Sequence, residues 1–429
     1  MFLRNLRKFG SASKLSLDSK AKFVILGAGD AGISAAKLLQ RKSLASDLKD
    51  IKIIDKKTDY FYQSGQTKVA AGIYDLSSIK IPNAWRHLDG VEVIESLASK
   101  VVPEENYVIT DSGEKIGYEH LIIASGIQPN LAAVKGLAEA LEDPQAPVGS
   151  IYLPQYAEKF RKLRRDFKGG KAVFCQPLSP IKCYGATQKI VYTSACSWEH
   201  LNTEISLHLG GERMLVPQYF HEKLLSVAKG YNVEVNRLSE LVEVRAKEKI
   251  AVFKEASGLK EVKFDLLQVS PPHLPPKFIA SSGLAAPNGY AEVDIHTLRH
   301  KKFANVWALG DSADLPTPKT LAAVNTQVHI LADQIAKALG KPSQNLLYNG
   351  YTACPVMVSK NEVLLCEFGY KGELMPTFSQ TPQPSKLAFL LYTFFFRYTT
   401  LNGYNTYLYP IAKFVRSIAG RFGTPPDKL

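Results

Sequence analysis

Lys22-Phe23-Val24-Ile25-Leu26-Gly27-Ala28-Gly29-Asp30-Ala31-Gly32 (KFVILGAGDAG, residues 22–32) decides the fold. Its first half is an unbroken apolar run of β-forming residues, and the ISAAKLLQR that follows has helical spacing. Between them lies G-x-G-x-x-G in the strand–turn–helix setting that gives this pattern its meaning. Gly27 permits the tight turn, and Gly29 lets backbone approach a pyrophosphate. Gly32 lets the helix pack on the strand with its N-terminus facing the anion. The next apolar run, IKIID, ends at Asp55, 23 residues after Gly32, where a carboxylate can accept hydrogen bonds from an adenosine ribose. The spacing predicts an α/β fold on a parallel sheet.

Two later segments sharpen the choice of cofactor. Leu121-Ile122-Ile123-Ala124-Ser125-Gly126 is an apolar strand closing on small residues, and Asn305-Val306-Trp307-Ala308-Leu309-Gly310-Asp311 closes on Gly-Asp. Both resemble accessory motifs of two-dinucleotide-domain flavoproteins. That resemblance implies FAD, with Asp311 on its ribityl chain. Thr320 to Val324 opens a further helix whose first amides can face the electron-rich edge of an isoalloxazine. A second nucleotide site is expected near mid-chain in this architecture. The matching strand, Lys171-Ala172-Val173-Phe174, runs instead into Cys175-Gln176-Pro177-Leu178-Ser179-Pro180-Ile181-Lys182-Cys183-Tyr184-Gly185. Proline has no amide to donate, and bulky side chains hold a pyrophosphate off the backbone. The sequence therefore predicts an electron donor other than a pyridine nucleotide.

The chain has 429 residues, 45% of them hydrophobic and 22% charged, which suits a globular protein of two or three domains. Its net charge of +13 is concentrated at the ends. Residues 1–22 carry six basic residues against Asp18 alone, and 374–426 carry five with no acid. A nucleic-acid protein spreads basic residues over a folded face; this pattern points to targeting and a lipid surface, with no nucleic-acid partner expected. MFLRNLRKFGSASKLSLDSK (1–20) resembles a mitochondrial presequence and is set aside from the fold. The basic stretch 159–171 reads as a solvated helix face.

Five cysteines in a chain this long do not make a secreted framework. The absence of C-x-x-C argues against both zinc and a vicinal dithiol, so no metal is expected. Cys183 lies in the remodelled loop beside Lys182, just before the helix ATQKIVYTSACSW, a setting that favours thiolate. Cys354 sits in Gly350-Tyr351-Thr352-Ala353-Cys354-Pro355, read as a loop before a strand. Cys175 and Cys366 in apolar strands and Cys196 in a helix read as core packing.

VILGAGDAG, DYFYQ, YEHLIIASGIQ, SPIKCYGATQKI, LLQVSPPHLPP, NVWALGDSADLPTPKT and YTACPVM together resemble the mitochondrial-type sulfide:quinone oxidoreductases, over nearly the whole chain after the leader. The resemblance implies that Cys183 and Cys354 are the catalytic pair, joined at rest by a disulfide or a sulfur-bridged form. Asp30, Ala31, Asp55, Gln63, Lys189, Asp311 and the helix start Leu321, Ala322, Ala323 and Val324 fall on FAD-contact positions, beside Gly27, Gly29 and Gly32. The implied partners are hydrogen sulfide, ubiquinone, membrane lipid, and glutathione or sulfite as sulfur acceptor. The implied location is the matrix side of the mitochondrial inner membrane, and a homo-oligomer is compatible with the sequence. Two alternatives remain at this point: a type II NADH:quinone oxidoreductase and a non-catalytic flavin-binding membrane scaffold.

KLAFLLYTFFFRY (386–398) is too short to cross a bilayer, and with YNTYLYPIAKFVRSI (404–418) it forms an aromatic, basic, acid-free region suited to lying in one leaflet. The expected architecture is a tandem Rossmann-like α/β fold with C-terminal membrane-associated helices. Its FAD-binding domain combines 21–150 with 285–345, and 151–284 forms an inserted second Rossmann-like domain with the first redox cysteine. Residues 346–429 carry the second redox cysteine and the anchor.

Overall fold

The computed structural model describes residues 17–415 apart from 57–58, 83–87, 89, 179, 379–380, 404, 409 and 412–413. Most of the expected leader, and residues 416–418 of the expected anchor, lie outside the described residues.

The strand Ser19–Leu26 sits inside a sheet, parallel to Ile51–Ile54 on one side and to Lys115–Ile123 on the other. Phe23, Val24 and Ile25 are fully buried, as expected for a parallel strand covered on both faces. Each contributes about 1.5–3 kcal/mol by leaving water. Ser19 and Lys20 pair with Ile116 and Gly117, so the sheet takes in the last two residues assigned to the 1–20 leader. Their polar side chains sit at the sheet's margin and look like tail in sequence. Glu92–Ile94 extends the parallel order beyond Ile51–Ile54, and Tyr107–Thr110 and Ala98–Val102 add antiparallel strands at the other side. Val306–Ala308 joins Lys115–Ile123 in parallel and delivers Gly310-Asp311 to the glycine turn. There a Cβ added to Gly310 would stand 3.2 Å from Ala31 Cβ.

The turn itself explains two glycines. Gly27 has φ +108, and a Cβ there would lie 2.6 Å from the Ala124 carbonyl oxygen. A Cβ on Gly32 would fall 1.8 Å from the Gly27 carbonyl oxygen, so the helix Asp30–Arg41 can approach its strand only without a side chain.

The second sheet is all parallel, in the order Val148–Gly149, Leu266–Val269, Gly170–Gln176, Thr203–Leu209, Val233–Arg237. A three-stranded antiparallel sheet, Glu240–Arg245, Ile250–Glu255 and Gly258–Lys263, packs beside it. The packing moves the expected domain boundary. Val134, Leu137, Ala140, Leu141 and Val148 share a core with Val173 and Val269, so residues from about 131 belong with the second unit. At the other end Phe278, Ile279 and Leu284 pack into the first core, so the first unit resumes before 285. The expected solvated face at 159–171 is also only partly solvated. Arg164 turns inward, its Nε donating to Ser194 Oγ (3.0 Å), Nη1 to Ala71 O (3.1 Å) and Nη2 to Thr193 O (2.7 Å).

After the helix Leu321–Ala338, which packs on Asp30–Arg41, the chain forms a hairpin of Thr352–Met357 and Val363–Phe368. Its buried face joins the core of the second unit, together with Tyr62, Val69 and Tyr74 from the first. The chain then forms a helix in three pieces, Lys386–Leu390, a π-helical Leu391–Phe395, and Phe396–Leu401, followed by the short turn Asn405–Tyr407.

Candidate active site

A cavity of about 710 Å³ runs from the glycine turn, past the loop that carries Cys183, to the C-terminal helical segment. Of the residues expected to hold cofactor, all but Gly32 and Ala323 line it. Gly32 acts behind the turn by letting helix meet strand. Ala323 is buried, and its amide donates to the Thr320 hydroxyl that caps the helix, at 3.1 Å. Val324 N donates to the Thr320 carbonyl. The amides of Leu321 and Ala322 are therefore the first-turn donors with no intrahelical acceptor.

The donor set fits an FAD. Nothing stands within 4 Å of a Cβ built on Gly29, so backbone faces open space there at the start of a helix. Asp55 Oδ2 accepts from Ala28 N at 2.7 Å, which holds the carboxylate at the turn. Asp30 accepts a hydrogen bond from the Tyr60 hydroxyl. Ser125 Oγ and Asn325 Oδ1 line the cavity and are buried with no protein partner, as ligand-facing polar atoms would be. Burial raises the pKa of Asp311, opposed by the charges of Lys182 and Lys319. Lys319 in turn is lowered to about 8 by burial.

The loop that replaces a second nucleotide turn reaches across to the first unit. Cys183 N donates to Lys319 O at 2.8 Å, Tyr152 OH donates to Lys182 O at 2.7 Å, and Lys182 Nζ donates to Gln63 Oε1 at 3.4 Å. Cys183 takes a left-handed backbone, φ +59, just ahead of the helix Ala186–Ser197. Gly185 completes the approach: a Cβ there would sit 2.9 Å from Val356 and 3.6 Å from Cys354 Cβ.

Cys354 does not lie in the loop that the sequence predicted; it is inside the strand Thr352–Met357 and fully buried. Gly350 and Pro355 bracket it like loop residues, yet Pro355 occupies a strand position opposite Leu365. The structure brings the two expected redox cysteines together as free thiols in hydrogen-bonding contact. That hydrogen bond from Cys354, the Lys189 ammonium and the Gly185 amide together outweigh burial and lower the Cys183 pKa to about 5. The same hydrogen bond and burial push Cys354 far up. Lys189 Nζ lies 3.3 Å from Cys183 Sγ. Burial opposes its charge, but the neighbouring thiolate holds the ammonium firmly protonated. Lys189 was expected on FAD; its ammonium lies against the Cys183 sulfur, on the wall of the same cavity.

Sequence reasoning missed Lys68 and Tyr392. Lys68 is fully buried, its Nζ donating to Ser64 O at 3.1 Å and lying 3.4 Å from the centre of the Tyr392 ring. The rings of Tyr62 and Tyr74 stand at 5.3 and 5.8 Å. Burial and the nearby Lys189 charge drive its pKa well down. Lys189 Nζ lies 5.2 Å from the centre of the same Tyr392 ring. A lysine in QTKVAAG reads as surface; the only signal was its place among apolar and small neighbours.

Tyr392 belongs to the C-terminal segment, which is two-faced. Tyr392 and Thr393 are buried, whereas Leu387, Leu390, Phe394 and Tyr398 are 63%, 52%, 62% and 60% exposed. Leu391, Phe395 and Phe396, with Leu408 and Ile411, form the apolar end of the cavity. No helix among the described residues is long and apolar enough to cross a membrane.

Over residues 21–328 the chain matches the pyridine nucleotide-disulphide oxidoreductase family. It is 34% identical over 395 residues to the mitochondrial sulfide:quinone oxidoreductase of Schizosaccharomyces pombe, covering 87% of this chain and 86% of that protein. Among solved structures, a chain in the cryo-EM structure of the Tetrahymena thermophila mitochondrial ATP synthase superposes with a TM-score of 0.80 at 21% identity, covering 92% of this chain and 97% of that one. The X-ray structure of the sulfide:quinone oxidoreductase from Aquifex aeolicus gives 0.77 at 17% identity, covering 94% and 96%. At these identities the structural likenesses speak for the fold.

Proposed function

The chain belongs to the sulfide:quinone oxidoreductase family, and on that footing we propose how its own residues carry the reaction. It oxidises sulfide with FAD as cofactor and passes the electrons to a quinone. The observation that carries the residue assignment is the Lys189 ammonium 3.3 Å from Cys183 Sγ, with Cys354 hydrogen-bonded to the same sulfur.

The turn Gly27–Gly29 and the start of the helix Asp30–Arg41 would hold the pyrophosphate, Asp55 the ribose, Asp311 the ribityl chain, and the Leu321 and Ala322 amides the pyrimidine edge. Bound there, FAD supplies a two-electron sink for sulfur and a donor for quinone. The protein's part begins from a Cys183–Cys354 disulfide. Hydrosulfide attacks Cys354 Sγ; a new sulfur–sulfur bond forms, the old one breaks, and its electron pair leaves on Cys183. Lys189 stabilises that thiolate, which faces the cavity. Cys354 keeps the persulfide, whose outer sulfur passes to a small acceptor, glutathione or sulfite. Lys182 and Lys319, which flank the Cys183 loop, favour an anionic acceptor.

Anaerobic stopped-flow mixing tests this reading. Sulfide is expected to bleach the flavin with a transient long-wavelength charge-transfer band, and NADH to leave it oxidised. Bleaching by NADH alone would instead establish the type II dehydrogenase, and no response to sulfide would favour the scaffold.

The apolar end of the cavity opens beside the exposed face of residues 386–401, so a quinone can pass from lipid to the flavin without crossing water. The proposed location is the matrix side of the mitochondrial inner membrane, with the segment lying in one leaflet. Truncating at 386 would remove Tyr392 from the core, so surface variants give the cleaner test. Leu390→Glu with Phe394→Glu is expected to shift most of the protein off vesicles of mitochondrial lipid composition while preserving sulfide oxidation with a short-chain quinone. Unchanged sedimentation with vesicles would remove the anchor.

A further inference from the structure

Five acidic side chains among the described residues line the cavity: Asp30, Asp55, Asp59, Asp311 and Glu367. Asp30 and Asp55 stand at the glycine turn, Asp311 follows Val306–Ala308, and Asp59 pairs with Lys80 at 2.6 Å. Glu367 has no part in holding FAD; it comes from the hairpin Thr352–Met357/Val363–Phe368 and is 3% exposed. The register sets Glu367 opposite Ala353 and Leu365 opposite Pro355, and all four line the cavity. Cys354 and Cys366, one step along each strand, face the second core instead. Tyr351 OH donates to Glu367 Oε1 at 2.6 Å, Thr377 Oγ1 donates to the same oxygen, and Thr377 N donates to Oε2 at 2.8 Å. Beside Tyr351, the Thr352 hydroxyl shares a 2.8 Å hydrogen bond with Thr320, which fixes this end of the hairpin to the helix start expected at the isoalloxazine. Beside Thr377, Phe378 lines the cavity and is 57% exposed, so the cavity opens close by. Both groups at Oε1 are hydroxyls. A hydroxyl donates to a carboxylate and turns to accept from a carboxylic acid, so the site can hold a proton or release it without stranding a partner. Tyr351 is only half-buried, which gives the carboxyl a path to water.

We propose that Glu367 is the proton donor for quinone reduction. The inference rests on the reading above, in which the quinone enters by the apolar end of this cavity. Reduction of a quinone to a quinol takes two electrons and two protons. Reduced FAD, as the anion that the Leu321 and Ala322 amides favour, supplies two electrons and one proton. Glu367 supplies the other proton: its O–H bond breaks, an O–H bond forms on a quinone oxygen, and the carboxylate is reprotonated from water through the Tyr351 hydroxyl. The remaining candidates on the wall are committed elsewhere. Lys189 is held protonated by the Cys183 thiolate. Lys319 donates to Ala313 O at 2.9 Å and feels the Asp311 charge, at the ribityl end. Burial holds the protons of Tyr60, Tyr62 and Tyr152 firmly in place.

Anaerobic stopped-flow on the full-length, FAD-loaded protein separates the two half-reactions. In Glu367→Gln, bleaching by sulfide is expected at the wild-type rate. Reoxidation by a saturating short-chain ubiquinone should fall about a hundredfold or more, whereas reoxidation by ferricyanide, which takes electrons and no proton, should be unchanged. Tyr351→Phe should show a smaller loss of the same kind. Quinone reoxidation of Glu367→Gln at the wild-type limiting rate, or a change only in the quinone concentration that half-saturates it, overturns the inference and leaves the reading above standing. An equal loss with ferricyanide also overturns it, and would make Glu367 a tie for Thr377. If Glu367→Gln does not retain FAD, Glu367→Asp decides: the acid is kept but drawn back by one methylene, so quinone reoxidation should fall and ferricyanide reoxidation should not. Equal effects with the two acceptors overturn the inference. A wild type that sulfide fails to bleach overturns both.

Discussion

Serine at either Cys183 or Cys354 is expected to cut sulfide-driven quinone reduction by about three orders of magnitude or more while FAD stays bound. Neither sulfur contributes to the nucleotide end of the cavity, where the glycine turn, Asp55 and the capped helix start at Thr320 lie. The two variants should nevertheless differ. Cys354→Ser removes the atom that hydrosulfide attacks but keeps Cys183 beside Lys189, so the flavin should show the thiolate charge-transfer band before any sulfide is added. Cys183→Ser removes the thiolate, and no band should form at any stage. Absorbance spectra of the two purified variants, with kcat measured against a soluble quinone, check both halves. Near-normal turnover in either variant would end the assignment of these cysteines.

Lys189→Met should move the protonation of Cys183 rather than its position. With the ammonium in place the thiol has a pKa of about 5, so the thiolate is present above that pH and is lost as pH falls through it. An opposite charge at this separation is worth about 1–3 pKa units, so the midpoint should rise by that amount. At pH 7 the thiolate then falls from nearly complete to between about nine-tenths and one-tenth, and activity should recover as pH is raised. The long-wavelength absorbance of Cys354→Ser, titrated with and without Lys189→Met, reads the shift directly. Lys189→Arg should restore most of it. A midpoint unmoved by Lys189→Met would mean that the Gly185 amide and the hydroxyl at position 354 hold the thiolate by themselves.

The glycine turn was legible because its physics is local: Phe23 to Leu26 must be buried on both faces, and Gly27 and Gly32 leave no room for a Cβ. The pairing of Cys183 with Cys354 came from a family resemblance, since no spacing in one chain reports a contact made across two units. The domain boundary failed for a related reason. Leu137, Leu141 and Val148 are apolar in either unit, and only their packing against Val173 and Val269 says which. Arg164 was misjudged and Lys68 passed over because charge in sequence implies water, whereas Lys68 is enclosed by tyrosine rings and Arg164 by backbone carbonyls and serine hydroxyls. Cys366 reads as core packing and is fully buried in the second core; only the hairpin register shows that it stands opposite Cys354.

The left-handed backbone at Cys183 sets stability against chemistry. A residue with a Cβ loses about 1–2 kcal/mol in that conformation, and glycine would not. A population of variants ranked only by survival of heating would drift toward glycine at 183 and discard the sulfur on which turnover depends. Selection for robustness in this enzyme has to be coupled to a sulfide assay, or it will reward its own loss of function.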